Sequence, residues 1–128
     1  MTPTTITDVH TIAINVADQD QALAFYVETL GFEKRLDAPI SADMRWIEVA
    51  PPGAATSITL NAAEEDVGQA AGTDTGVRFT VPDAESEHAT MRDRGVAVSE
   101  VMRWPGVPPM YTLDDPDGNR FYVVEEMK

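Results

Sequence analysis

The sequence predicts an α+β fold of two tandem βαβββ modules, because a strand-then-helix pattern occurs twice along the chain. Residues 16–18 and 81–83 share the pattern Val-X-Asp, and the segments around them match at one constant offset. Before each tripeptide, apolar residues occupy every second position, which is typical of a half-buried strand. These residues are Ile12, Ile14 and Val16 in the first half, and Val77, Phe79 and Val81 in the second. Two similar halves therefore build the protein.

Each repeat continues into a predicted helix that begins at an aspartate and ends at a glycine. Asp18 and Gln21 have the spacing of a capping box at the first helix, and Asp83 is the predicted cap of the second. Apolar residues then recur at helical spacing. They are Leu23, Tyr26, Val27 and Leu30 in the first helix, and Ala84, His88 and Met91 in the second. Gly31 and Gly95 follow these stripes and predict where the two helices end.

Three further strands are predicted after each helix, so that each module has four. In the first module they span 33–38, 44–49 and 57–61, and in the second they span 96–103, 110–113 and 120–125. Prolines and glycines at 51–53 and 115–118 mark turns. We assign module one to residues 6–61, module two to residues 74–126, and the polar stretch 62–73 to a linker.

The composition excludes several classes of function. With 128 residues the chain is large enough for one domain with its own core, and it has no cysteine for disulfides or thiolate metal sites. A net charge of −13 with nine Lys and Arg argues against nucleic acid binding, which requires clustered positive charge. We interpret the acidity as favouring solubility, with attraction of a cationic ligand as the alternative. Neither a signal pattern nor a membrane-length apolar run is present, so a soluble, cytoplasmic protein is expected.

Several segments resemble the vicinal oxygen chelate superfamily, which includes glyoxalase I, extradiol dioxygenases, fosfomycin-resistance enzymes and bleomycin-resistance proteins. The resemblance is carried by Val-Ala-Asp-Gln-Asp at 16–20 with Ala-Leu-Ala-Phe-Tyr at 22–26, Leu-Gly-Phe at 30–32, and Asp-Pro-Asp-Gly-Asn at 115–119 leading into Phe-Tyr-Val-Val-Glu at 121–125. It covers nearly the whole chain and implies a glyoxalase-like fold of curled mixed sheets around an open cleft, usually in a homodimer. It does not imply one reaction, because members isomerise, cleave, oxidise or only bind.

In members that resemble glyoxalase I, four side chains hold a divalent metal, one on the first and one on the last strand of each module. The resemblance places these positions on Thr11, Thr59, Gly76 and Tyr122, none of which is His, Asp or Glu. Zinc prefers several imidazoles, thiolates or carboxylates, and harder cations prefer several carboxylates. We therefore predict neither a metal nor another cofactor.

The two histidines are interpreted as structural residues. His10 lies one position from Thr11, and a one-residue slip turns a strand side chain to the opposite face, so an ordinary strand-end histidine is expected. The alternative is a bulge that turns His10 into the cleft. His88 lies on the apolar stripe of the second helix, where a packing role is expected.

The acidic segments are interpreted as surface or turn residues rather than catalytic pairs. Segments 64–66 and 125–126 are expected to be solvated. The aspartates of 114–117 could imitate a calcium loop, but Pro116 and Gly118 favour a tight hairpin turn.

Strand alternation also selects the residues that face the predicted cleft. They combine apolar and polar side chains, as in sites for a ligand with an apolar body and a few polar groups. The predicted ligand-binding residues are Thr11, Asn15, Trp46, Glu48, Thr59, Asn61, Arg78, Thr80 and Tyr122, with Met44, Met110 and Trp104 as further candidates. Loop 104–111 contains three prolines and is a candidate lid over the cleft.

Arg78 is the most distinctive of these residues, because an arginine buried on a central strand is costly without an anionic partner. Its partner is either a carboxylate or phosphate of a ligand, or an inward-facing acid of the protein such as Glu48. Tyr122 is either a proton donor or hydrogen-bond anchor, or a simple lining residue, which is the interpretation we favour.

Together these observations predict a metal-independent small-molecule-binding protein of the glyoxalase/bleomycin-resistance type. The closest analogy that the resemblance offers is to bleomycin-resistance proteins, which bind their drug in grooves formed by a dimer. The alternative is a metal-dependent lyase, isomerase or dioxygenase of the same superfamily, with His10 and Glu48 or another carboxylate in a rearranged metal site.

Overall fold

The computed structural model describes residue 2 and residues 4–63 and 71–127. Most of the predicted linker 62–73, including the acidic segment 64–66, lies outside the described residues. Module one consists of β1 (Thr11–Val16), α1 (Gln19–Ala24), β2 (Glu33–Ser41), β3 (Met44–Ala50) and β4 (Ser57–Ala62). Module two consists of β5 (Asp74–Val81), α2 (Ala84–Asp93), β6 (Ala97–Val98), β7 (Met110–Asp114) and β8 (Arg120–Glu125).

Each module forms its own four-stranded mixed sheet. Sheet one has the order β1-β4-β3-β2, and sheet two has the order β5-β8-β7-β6. In both sheets the first and last strands of the module pair in parallel, whereas the other neighbours pair antiparallel. The sheets are curled but not closed. This repeated topology confirms the predicted α+β fold of two βαβββ modules.

Both helices begin at the predicted aspartates. The Asp18 carboxylate accepts a hydrogen bond from the backbone N–H of Gln21 at 3.0 Å, and Asp83 accepts one from Ser86 at 3.1 Å. These bonds satisfy N–H groups that have no partner within the helix. The first helix then widens into a π-helical turn at Phe25–Thr29, which the sequence pattern did not indicate. None of the described helices is long and apolar enough to span a membrane.

The predicted strand 96–103 is wrong over most of its length. Only β6 is a strand there, and a single further bridge joins Met102 to Met110. The reason lies at Ser99, whose hydroxyl accepts the backbone N–H of Thr112 at 2.9 Å. In a continuing strand, a backbone carbonyl would accept the N–H of Thr112. Here the Ser99 side chain accepts it instead, and the regular pairing of β6 with β7 ends.

The apolar faces of the two sheets share one core with the helices. Sheet one contributes Ile14, Val16, Ile47, Val49, Ile58 and Leu60, and sheet two contributes Tyr111, Leu113, Phe121 and Val123. Aromatic rings cross the seam between the modules, with Tyr26 edge-on to Phe121 at 6.1 Å and Phe32 edge-on to Phe79 at 5.5 Å between ring centroids. The opposite, more polar faces of both sheets consequently point away from this core.

A buried carboxylate, that of Asp115, joins the two modules through hydrogen bonds. Asp115 is 5% exposed and accepts hydrogen bonds from the Tyr26 hydroxyl at 2.8 Å and the Asn119 side-chain amide at 2.9 Å. The same amide donates to the carbonyl oxygen of Asn15, at the end of β1. Burial, with a further contribution from Asp115, raises the pKa of Tyr26. Asp115 also accepts the backbone N–H of Asp117, which confirms the turn interpretation of these aspartates.

Candidate functional site

The polar face of sheet one holds most of the predicted ligand residues. The strand register places them beside one another, with Asn15 opposite Asn61, Thr59 opposite Glu48, and Thr11 opposite Ser57. Trp46 lies two positions before Glu48 on β3 and is 39% exposed. The alternation of side chains along the strands therefore predicted this grouping.

Glu48 is a buried residue whose two carboxylate oxygens each accept a hydrogen bond. Its side chain accepts the indole N–H of Trp46 at 2.7 Å on one oxygen and the Ser57 hydroxyl at 2.7 Å on the other. These two hydrogen bonds lower the pKa of the Glu48 carboxyl, against the opposing effect of burial. Glu48 is therefore ionised at neutral pH, and it fixes the orientation of the Trp46 ring.

The two histidines have different surroundings. His10 precedes β1 and its side chain is 79% exposed, with Nε2 3.8 Å from Glu48 Oε2. No bulge is required for this approach to Glu48, because residue 10 lies outside the strand whose alternation fixes the side-chain directions. His88 has the expected packing role, since its Nε2 lies 2.8 Å from the carbonyl oxygen of Ser99 and its ring packs edge-on to Tyr111.

The polar face of sheet two carries Arg78, Thr80 and Tyr122. The Tyr122 hydroxyl donates a hydrogen bond to Asp74 Oδ2 at 2.8 Å, and the Arg78 guanidinium lies over the Tyr122 ring, 5.5 Å from its centroid. Asp74 also accepts the backbone N–H of Gly76 at 3.1 Å. A cation–π contact at an exposed site contributes about 0.5–1 kcal/mol, enough to favour one arginine orientation.

The contact with Asp74 argues against proton donation by Tyr122. The hydrogen bond to the carboxylate raises the pKa of Tyr122 and lowers the pKa of Asp74. A phenol that is less acidic than usual, and whose hydrogen already binds a carboxylate, is a poor proton donor to a ligand. Tyr122 is better suited to holding Arg78 in place.

Arg78 is exposed rather than buried, which corrects the sequence-based expectation. Its guanidinium donates one long hydrogen bond, 3.4 Å to the carbonyl oxygen of Gly76, and no carboxylate among the described residues lies within ion-pair distance. The alternative of a salt bridge to Glu48 is not realised, because Glu48 lies on the other sheet and accepts hydrogen bonds from Trp46 and Ser57. In a chain of net charge −13, this cation is available to an anionic group.

The two polar faces do not form one cleft within a single chain. Both sheets direct their apolar faces into the same core, so their polar faces point away from it. The structure therefore brings the predicted ligand residues together in two groups, one around Glu48 and one around Arg78. The four positions that the resemblance assigns to metal ligands are divided in the same way, with Thr11 and Thr59 on sheet one and Gly76 and Tyr122 on sheet two.

The residues at these four positions do not fit a metal ion. Thr59 is 2% exposed, Gly76 has no side chain, and the Tyr122 hydroxyl donates to Asp74. Within the described parts of the chain, no three His, Asp or Glu side chains are grouped as metal ligands would be. His10 and Glu48 supply two donors, fewer than the three protein ligands of a typical catalytic zinc site.

An open pocket of about 360 Å³ adjoins the polar face of sheet one. The predicted residues Trp46 and Asn61 line it together with Gln19 and Arg45. The Gln19 side-chain amide donates to the carbonyl oxygens of Arg45 at 3.1 Å and Leu60 at 2.8 Å, which ties α1 to β3 and β4. Sequence analysis missed Gln19, because a polar residue in the first turn of a helix carries no signal of its tertiary contacts.

The candidate lid, loop 104–111, is anchored at its start by hydrogen bonds and an ion pair. Met102 and Met110 exchange two backbone hydrogen bonds, of 2.7 and 3.1 Å, and Arg103 forms an ion pair with Glu85 of α2. Beyond these contacts Trp104 protrudes and is 53% exposed. Closure of this loop over a ligand stays a prediction.

We expect the substitution Glu48→Gln to reduce the loss of stability in acid. The pKa of this carboxyl is lower in the folded chain than its ordinary value of 4.5, so the ionised form stabilises the fold above that value. The stabilisation disappears as the pH falls through the lowered, folded-state pKa. Urea unfolding at about pH 7 and about pH 3 measures the difference, which we expect to be smaller in the variant. Glu126→Gln, at an exposed site, is the control, and equal acid sensitivity of all three proteins would contradict this role of Glu48.

Comparisons with known proteins identify relatives over nearly the full chain. A family model described as Glyoxalase/Bleomycin resistance protein/Dioxygenase superfamily matches residues 8–123. The crystal structure of a member of this superfamily from Sphaerobacter thermophilus DSM 20745 has a TM-score of 0.88 at 40% identity, and the match covers 94% of this chain and 98% of that chain. TnmS3, described as an antibiotic binding protein from Streptomyces sp. CB03234, has a TM-score of 0.86 at 32% identity, with 98% of this chain and 100% of that chain covered. A shorter match of 55 residues at 38% identity joins the chain to YetH of Bacillus subtilis (strain 168), and it covers 43% of this chain and 46% of that protein.

Proposed function

Because the chain belongs to the glyoxalase/bleomycin resistance protein/dioxygenase superfamily, we propose that it binds a small organic molecule without a catalytic metal. The ligand lies in a cleft that two copies of the chain form together, with the polar face of sheet one from one copy opposite the polar face of sheet two from the other. The cleft then joins the residues around Glu48 to those around Arg78.

One observation carries the proposal of metal independence. The positions from which relatives of the glyoxalase I type hold a metal present Thr11, Thr59, Gly76 and Tyr122, which offer no strong ligand. The same two faces nevertheless carry groups suited to holding an organic molecule. This combination of side chains supports the binding of an organic ligand rather than metal-assisted chemistry.

The division of the site between two sheets supports a homodimer. A single chain packs the apolar faces of its sheets together and leaves the polar faces outside this core, with exposed residues such as Trp46 and Arg78 on them. Symmetric pairing of two copies would place the two kinds of face opposite each other twice, since every contact in such a dimer is repeated by the two-fold axis. Each dimer would thus have two equivalent clefts.

The residues of the two faces define the chemistry of the ligand. Trp46 offers a broad apolar surface, Asn15 and Asn61 lie beside it, and Arg78 supplies a cation without a carboxylate partner among the described residues. We propose a ligand with a flat apolar body and an anionic group. The description of TnmS3 as an antibiotic binding protein supports a ligand of the natural-product class.

The alternative function is a metal-dependent lyase, isomerase or dioxygenase. The 3.8 Å separation of His10 and Glu48 favours it, because these two groups could serve as a pair of ligands in a rearranged site. A partner subunit would have to supply the remaining ligands. Metal content distinguishes the two functions.

We expect added zinc, nickel, manganese or iron neither to raise the melting temperature nor to elicit glyoxalase or ring-cleaving activity. The physical reason is that none of the four positions described above carries a strong metal ligand such as His, Asp or Glu. Thermal unfolding with and without each metal measures the effect, with chelator-treated protein as the reference. A stoichiometric, saturable metal site that Glu48→Gln abolishes would contradict the proposal and support the alternative.

A thermal-shift screen of anionic and neutral aromatic natural products tests ligand binding directly. A ligand present at a hundred times its dissociation constant stabilises the folded protein by about 2.7 kcal/mol, which is a measurable shift. We expect the hits to be enriched in compounds that carry a carboxylate or phosphate.

A further inference from the structure

A second pocket lies at the seam between the two modules, on the core side of both sheets. Its volume is about 160 Å³. Module one contributes Leu30 and Phe32, and module two contributes Phe79 and Met91. The pocket lies mainly on the core side, although Thr80 of the polar face of sheet two also contributes to its lining, and it depends on the way the two modules pack within one chain.

The interior of this seam pocket is apolar and largely buried. Leu113 and Val123, each 1% exposed, contribute buried side chains to its lining. Phe32 and Phe79 meet edge-to-face at 5.5 Å between ring centroids. An apolar cavity of about 150 Å³ in a protein core stays dry and binds benzene. The size and lining of the seam pocket therefore suit a single aromatic ring, for which edge-to-face contacts with phenylalanine are favourable.

The mouth of the pocket is formed by two prolines and one charged residue. Pro51, Pro52 and Glu87 are at least partly exposed lining residues, so the pocket reaches solvent there. The Pro51 carbonyl accepts the backbone N–H of Ala54 at 3.0 Å, which closes a tight turn. No Lys, Arg or His among the described residues lies within ion-pair distance of Glu87.

We propose that the seam pocket binds a small aromatic molecule that carries a protonated amine. The ring enters the apolar interior, and the ammonium group remains at the mouth beside the Glu87 carboxylate. The net charge of −13 attracts a cationic ligand, rather than an anionic one, as it diffuses towards the protein. The apolar interior of the pocket is separate from the proposed cleft, because Phe79 and Arg78 lie on opposite faces of β5, while Thr80 borders both.

Methyl NMR with benzylamine as the probe tests this proposal. Met91, Leu113 and Val123 line the pocket and report on occupancy, whereas Met44 and Met110 lie outside it and serve as reference signals. We expect benzylamine to shift the first set saturably and to leave the second unchanged. Benzyl alcohol, which has the same ring without the charge, should bind about fivefold more weakly, the equivalent of ~1 kcal/mol for a partly exposed ion pair.

Substitution of the carboxylate provides the matched control. Glu87→Gln should bring the dissociation constant of benzylamine to that of benzyl alcohol, whereas Glu85→Gln, on the same helix but outside the pocket lining, should preserve the difference. Absence of saturable shifts at the seam methyls would overturn the site. Equal binding of benzylamine and benzyl alcohol by the unmodified chain would overturn the assigned selectivity for an amine.

Discussion

The substitution Asp115→Ala should lower the free energy of unfolding by at least about 1.5–3 kcal/mol, the contribution of a hydrogen bond to a charged group, because several such bonds are lost at once. Asp115 is 5% exposed, and it accepts hydrogen bonds from the Tyr26 hydroxyl and from the backbone and side chain of Asn119. Alanine would leave these donors buried without an acceptor. Since small domains are stable by only about 5–15 kcal/mol, the variant should lose a large fraction of its stability.

Urea unfolding followed by circular dichroism measures this loss, with Asp114→Ala as the matched control. Asp114 is the preceding residue, but its carboxylate forms a partly exposed ion pair with Arg120, an interaction worth about 0–1 kcal/mol. Tyr26→Phe removes one of the hydrogen bonds to Asp115 and keeps the ring, so it should cost less than Asp115→Ala and still fold. Equal, small losses for Asp115→Ala and Asp114→Ala would show that the buried network does not hold the modules together.

The substitution Arg78→Met should weaken binding of an anionic ligand by about 1.5–3 kcal/mol, the value of a charge-assisted hydrogen bond. Methionine keeps most of the apolar stem of the side chain and removes the charge. The fold should be unaffected, because Arg78 is exposed and its one hydrogen bond to another described residue, Gly76, is 3.4 Å long. Calorimetric titration of an anionic hit from the thermal-shift screen measures the change.

Arg92→Met is the control for this experiment, since Arg92 is an exposed residue of α2. It changes the net charge by the same amount at a site away from the polar faces. If both variants lost affinity equally, the effect would come from the overall charge of the protein. Unchanged affinity in Arg78→Met would remove Arg78 from the proposed site.

The sequence predicted the sheet faces well, because strand alternation is a local property. Once Ile14 and Val77 are assigned to the core side, Asn15 and Arg78 must face the other way, and the structure places them so. The same parity includes Asp74, but a register shift between Asp74 and Arg78 brings Asp74 near Tyr122, and alternation alone does not reveal that shift.

The contacts between modules could not be predicted in this way. Tyr26 and Asp115 are 89 positions apart, and no periodicity relates a residue of one module to its partner in the other. The direction of the His10 side chain could not be predicted from the alternation either. His10 lies before the first residue of β1, where the alternation no longer constrains its direction, and so it reaches Glu48 without a bulge.

The molecular mass in solution tests the proposed cleft most directly. If two copies form the site, light scattering at micromolar concentration should give twice the chain mass of 13.9 kDa. A mass of 13.9 kDa under these conditions would contradict the account, because the residues around Glu48 and those around Arg78 would then remain on separate faces of a single chain.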